Sequence, residues 1–204
     1  MIIEKALELR IKMVVLPLEV LQHAKADFAE LAEENELSDY QKDVLSRLVT
    51  DVPEDMDFVP KSIVLAIWNS KNMEDYVDTE KLFAQMGVTF LNVRYMPKKY
   101  LAARSGMGVY GINNSIFVDG WGSLGRIGTW FTNIEPPEEY TWQESEISKA
   151  CDNCSKCLTA CPGGIGVEGR FLIDASKCIN IGKKIKVCSI CQTVCPVNEK
   201  LTLW

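Results

Sequence analysis

Apolar and polar positions fall in blocks along the first hundred residues, and the blocks read as strands and helices in turn. Residues 11–16, IKMVVL, make a short apolar run suited to a buried strand. Leu18, Leu21, Ala24, Phe28 and Leu31 then recur at intervals of three and four, the spacing of one helix face. Ser38 with Gln41 predicts a capping box at the head of a second helix bearing Val44, Leu45 and Leu48. Pro60 precedes SIVLAIW, an unbroken apolar run typical of a strand covered on both faces. Asp78 or Thr79 is expected to cap a helix through Leu82, Phe83 and Met86, and Gly87 to stop it. VTFLNV at 88–93 reads as the next strand. Strand, helix, strand in this order is a βαβ unit, which predicts that the two strands run parallel.

From Pro97 the texture changes. Lys98 to Arg104 reads as a short helix, followed by Gly106, Gly108, Gly111, Gly120, Gly122, Gly125 and Gly128 among aromatic and β-branched residues. Glycine at this density implies either plain hairpin turns or backbone left bare for something to approach closely. Residues 134–148, IEPPEEYTWQESEIS, hold two prolines and five glutamates and read as a linker or solvated loop.

All eight cysteines follow that loop. The first group is Cys151, Cys154, Cys157, Cys161 and then Pro162, the C-x2-C-x2-C-x3-C-P run of bacterial two-cluster ferredoxins. The second is Cys178, Cys188, Cys191, Cys195 and then Pro196, with the same ending after one long gap. Two-residue gaps aim three thiolates at one cubane, and in such ferredoxins the fourth cysteine serves the other cluster. On that pattern one 4Fe-4S cluster takes Cys151, Cys154, Cys157 and Cys195, and the other takes Cys178, Cys188, Cys191 and Cys161. Structural zinc ribbons use paired cysteines, which these endings do not match. Disulfides would need an oxidising compartment, and the first twenty residues carry Glu and Lys where a secretory signal would be cleanly apolar. The expected organisation is an α/β domain over 1–134, with a small mixed or parallel sheet and helices, then a ferredoxin-like two-cluster domain over 135–204.

Composition narrows the classes further. The chain has 204 residues, is 47% apolar and carries a net charge of −6. It is long enough to bury a core without metal, so the clusters are expected to be functional. The negative charge argues against broad contact with nucleic acid, which needs a basic face. No run of 18 apolar residues occurs, so no membrane span is expected, and the reduced thiols suggest the cytoplasm.

The segment KYLAARSGMGVYGINNSIFVDGWGSLGRIGTWFTN, followed by the two cysteine groups, resembles the epoxyqueuosine reductase family, in particular its short double 4Fe-4S-cluster members. Reductive dehalogenases are similar at a greater distance. The resemblance covers about 90–204 and is fainter before that, at PKSIVLAIWNS. It implies clusters that deliver electrons to cobalamin, with Arg104, Gly106, Gly108, Gly111, Asn113 and Asn114 lining a corrinoid pocket. It also exposes departures. Asn92 stands where these reductases place a catalytic aspartate, and Ile112 where they place a lysine. Only about 20 residues separate the strands at 62–68 and 88–93, and nothing after the second cysteine group corresponds to the helical repeats that would hold transfer RNA. Epoxyqueuosine reduction itself is therefore not expected.

The remaining candidates have plain alternatives. His23, the lone histidine, is read as solvated. Lys183, Lys184 and Lys186 offer a docking patch for a redox partner or merely a solvated face. Tyr110, Trp121 and Trp130 could stack on a macrocycle or pack in the core. GMGVYG spells a dinucleotide fingerprint but follows a helix, so it is discounted. The chain is thus expected to be a redox protein relaying single electrons through two clusters. It is read as a reductase of cobalamin or a small molecule, or as a carrier that reduces a partner's cofactor. No catalytic residue is assigned.

Overall fold

The centre of the molecule is the strand Ser62–Asn69, because seven successive residues there have nowhere to go but inside. In the computed structural model, which describes residues 2–69, 75–164, 177–179 and 188–199, this strand, β2, buries every residue except the last. Its neighbours are β1, Lys12–Pro17, and β6, Gly125–Thr132, with β3, Phe90–Asn92, beyond β6. The sheet order is β1-β2-β6-β3, and all three neighbouring pairs are antiparallel.

Alternation along β2 sends Ile63, Leu65 and Ile67 to one face and Val64, Ala66 and Trp68 to the other. The first face is covered by α2, Val20–Glu34, and by α5, Lys98–Arg104, through Val20, Leu21, Ala24 and Leu101. The second is covered by α1, Ile2–Glu8, and α4, Asp75–Gln85, through Ala6, Leu82 and Phe83. The result is a sheet between two helical layers, and each fully buried Leu, Ile or Phe contributes roughly 1.5–3 kcal/mol to it. Helix α3, Asp39–Ser46, has the predicted capping box: Ser38 Oγ accepts from the Gln41 amide, and Gln41 Oε1 accepts from the Ser38 amide.

Three expectations change. The strands β2 and β3 do run in the same direction, but they are not neighbours, because β6 lies between them and opposes both. The sheet is therefore built from antiparallel pairs, not from a parallel pair. Helix α4 begins at Asp75, so Asp78 and Thr79 lie within it; Thr79 is buried on the same face as Leu82 and Phe83. The β3 ladder is also shorter than the apolar run at 88–93, with Leu91 left 42% exposed at the sheet edge.

The glycine-rich stretch supplies a hairpin and the sheet's second central strand. Strands β4, Val109–Tyr110, and β5, Ile116–Phe117, pair across the turn. A Cβ on Gly108 would lie 2.5 Å from Ile116 and one on Gly111 2.4 Å from Phe117, so the hairpin closes only because both are glycine. In β6 the Trp130 ring folds over Gly128, where a Cβ would meet it at 2.3 Å. Trp130 is fully buried, stacks edge-on to Phe83 and donates from Nε1 to Glu80. Tyr110 is buried as well, and Trp121 is half-buried beneath the Lys12 ammonium. These three aromatics are packing residues.

Candidate functional site

The first cysteine group is laid out by short local structure. Ser148 accepts from the Ala150 amide at the head of a 3-10 turn, Lys149–Cys151. Asn153 adopts a left-handed φ of 58°, which bends the chain so that Cys151 and Cys154 face the same way. Helix α6, Lys156–Thr159, carries Cys157, and the chain turns again at Cys161. The second group repeats this plan: α7, Ile190–Thr193, carries Cys191, and Cys195 precedes α8, Pro196–Glu199. Helices α6 and α7 pack against each other, which interleaves the two groups.

That packing sorts the thiols into two sets. Cys151, Cys154, Cys157 and Cys195 line one small cavity, closed by Ile112 and Phe117. Burial, with Cys151 and Cys195 nearby, pushes the Cys157 thiol up to about 11. In the second set Cys191 is raised by burial first, then by Cys188, Cys161 and Cys178 around it. Gly163 lies so close to the Lys177 carbonyl that a Cβ would meet it at 2.1 Å, and this contact brings Cys178 beside Cys161. Among the described residues no three His, Cys, Asp or Glu side chains converge on a single-ion site. Each set instead draws its fourth thiol from the other group.

The glycine-rich hairpin grips both sets. The Ile112 backbone lies near Cys151 and counters part of the rise that burial gives its thiol, and Asn113 Nδ2 donates to the Cys191 carbonyl. Ser123 binds Asn198 through its amide and hydroxyl, and its carbonyl accepts from Gln192. Nor does segment 134–148 hang free. Gln143 donates to the Arg104 carbonyl, and Tyr110 exchanges backbone bonds with Glu146 and Ser148.

Beside the Cys191 group opens a cleft of about 560 Å³. Asn92, Arg94, Lys98, Lys99, Arg126 and Gln192 supply its polar wall, and Trp68, Val93, Ile116 and Ile127 its apolar one. The Asn92 amide donates to the Thr129 carbonyl at 3.3 Å, and Lys99 Nζ donates to the Asn114 carbonyl at 2.7 Å. Protein surrounding the cleft lowers Lys98 and Lys99 below the usual lysine range, with Arg94 adding to the first; Cys191 opposes the shift of the second, to which Lys98 adds. Sequence reasoning did not assemble this cleft, because its cations come from the β3–α5 connection, α5 and β6.

The six residues that the resemblance assigns to a corrinoid do not share one cavity, and none lines the cleft. Arg104 faces the opposite side, over the Tyr100 and Trp142 rings and against Glu144 at 2.8 Å. Gly106 approaches Thr141, while Gly108 and Gly111 are filled by Ile116 and Phe117. Asn113 borders the Cys151 cavity. Asn114, at φ 56°, leaves its buried Oδ1 without a partner. His23 is exposed against Trp142, and Lys183, Lys184 and Lys186 lie outside the described residues. No helix among the described residues is long and apolar enough to cross a membrane.

No family model matches the chain. It is similar to the epoxyqueuosine reductase of Bacillus anthracis, 34% identical over 116 residues, covering 48% of this chain and 29% of that one. The epoxyqueuosine reductase of a Synechocystis species is 31% identical over 144 residues, covering 58% and 47%. The matched part thus spans less than half the length of these relatives. Among solved structures, epoxyqueuosine reductase from Streptococcus thermophilus superposes with a TM-score of 0.66 at 16% identity, over 97% of this chain and 65% of that one. A catabolic reductive dehalogenase superposes with a TM-score of 0.55 at 14% identity, over 72% and 27%. The chain is therefore epoxyqueuosine reductase-like in sequence and fold, with reductive dehalogenases among its structural neighbours.

Proposed function

We propose that this chain is an iron–sulfur oxidoreductase of the epoxyqueuosine reductase type, working in the cytoplasm and relaying single electrons through two 4Fe-4S clusters. The observation that carries the reading is the sorting of eight thiols into two sets that each borrow one cysteine from the other group. Cys151, Cys154, Cys157 and Cys195 would hold one cluster, and Cys161, Cys178, Cys188 and Cys191 the other. Bound clusters supply one-electron transfer at potentials set by burial and by hydrogen bonds to sulfur. Ile112 and Phe117 line the first site and shield it from water. Raised thiols such as Cys157 must release protons as metal binds, so assembly is coupled to pH.

The cleft beside Cys191 is read as the place of a small-molecule acceptor. Cobalamin, which the family resemblance implies, does not fit the glycines assigned to it. The Cβ positions of Gly108 and Gly111 are occupied by neighbouring side chains, and the Gly111 amide already bonds the Ser115 carbonyl. Asn92 supports a second reading, a carrier that reduces a partner's cofactor, since an amide cannot shuttle a proton as a carboxyl does.

Anaerobic reconstitution is expected to give about eight irons per chain, and Cys195→Ala to remove the cluster of Cys151, Cys154 and Cys157. Loss confined to the other cluster would break the assignment. Titration of the reconstituted protein with cob(II)alamin is expected to show no binding at about 100 µM cofactor, equivalent to less than about 5.5 kcal/mol.

A further inference from the structure

Arg94, Lys98, Lys99 and Arg126 line one cleft, and among the described residues no aspartate or glutamate lines it. The ion pairs among the described residues lie elsewhere: Lys25 with Asp51, Arg47 with Asp43, Lys61 with Glu135, Lys81 with Asp78, and Arg104 with Asp27 and Glu144. In a chain of net charge −6, four cations gathered with no carboxylate among the lining residues, and with only the Cys191 sulfur facing Lys99, oppose the average composition. Their mutual repulsion costs free energy, which an anion would offset.

The rest of the wall describes the ligand. Trp68, Val93, Ile116 and Ile127 give an apolar surface for an organic body, while the two guanidiniums can each grip two oxygens of one group. A volume of about 560 Å³ falls within the range of small-molecule sites. The net charge of −6 argues against broad contact with a nucleic-acid backbone, which needs a basic face.

We propose that the cleft binds a small organic molecule through an oxyanion group, a phosphate or a carboxylate, gripped by Arg94 and Arg126 and flanked by Lys98 and Lys99. This rests on the reading of the cleft as the acceptor site and names the class of ligand it takes. Gln192, which follows Cys191 and is fixed to the Ser123 carbonyl at 2.7 Å, places the cysteine group at the edge of the same cleft.

Calorimetric titration of the anaerobically reconstituted chain with phenyl phosphate and with benzoate tests the proposal and separates the two oxyanions. At low salt at least one is expected to bind with a dissociation constant below about 1 mM. Arg94→Gln and Arg126→Gln, both at exposed positions, are each expected to weaken it about tenfold, while Lys61→Gln leaves it unchanged. Absence of binding by either probe, or equal binding by the wild type and both arginine variants, would overturn the proposal. So would an RNA stem-loop that binds more tightly than either probe and is released by the same substitutions. Iron content measured on each sample keeps the two readings apart. Iron-free protein that still binds the probe loses the cluster reading alone, and eight-iron protein that ignores both probes loses the anion site alone.

Discussion

Strand β2 buries seven residues in a row, whereas from Lys149 onward Cys157 and Cys195 are the only buried apolar side chains among the described residues. The two regions are therefore held by different forces. The sheet layer excludes water from both faces and closes its ladders with long antiparallel pairings. The cysteine region has helices of four residues, too short to be stable alone, and rests on hydrogen bonds to the hairpin. A segment that small and that open usually needs metal or cross-links to stay folded. The comparison teaches that the sheet is the scaffold and that the cysteine region leans on it through the hairpin.

The largest effect should come from chelating the metal anaerobically. Amides in 149–164 and 188–199 are expected to lose hydrogen-exchange protection, while those of β2 and β6 keep theirs. A cysteine region that stays protected without iron would erase the contrast. Trp130→Ala should act the opposite way, lowering global stability in urea by about 3–5 kcal/mol without changing the iron bound per folded chain. Gly163→Ala is expected to cost about 1–3 kcal/mol locally by overpacking against the Lys177 carbonyl. Its iron content should fall toward about four per chain as the Cys161 and Cys178 site opens. Retention of all eight would show that this contact does not set the second site. The smallest effect belongs to Ser38→Ala, about 1 kcal/mol from the lost cap of α3, read as a shift in the urea midpoint with iron unchanged.

How much was legible follows the same division. Strong local signals survived: the capping box of Ser38 and Gln41, the double-faced strand at Ser62, the helix from Lys98 to Arg104. Strand β6 escaped because Gly125 and Gly128 resemble turn residues, and only the Trp130 ring lying over Gly128 explains a glycine in a central strand. Its insertion between β2 and β3 was equally hidden, since a βαβ pattern fixes direction but leaves the gap between the strands open. The cationic cleft drew Arg94, Lys98, Lys99 and Arg126 from separate elements, so no spacing rule could have joined them.

By itself the sequence set the local turns of the cysteine groups, because two-residue gaps and a closing Cys-Pro are local instructions that a short loop obeys wherever it sits. It determined the buried strands for the same reason, since apolar runs must leave water in any fold. Only the tertiary structure decided that the glycines at 108 and 111 serve the hairpin's own close packing, where Ile116 and Phe117 fill the space a side chain would take. It alone decided that four cations meet at one cleft beside Cys191, because charge separated along the chain becomes a site only when packing converges it.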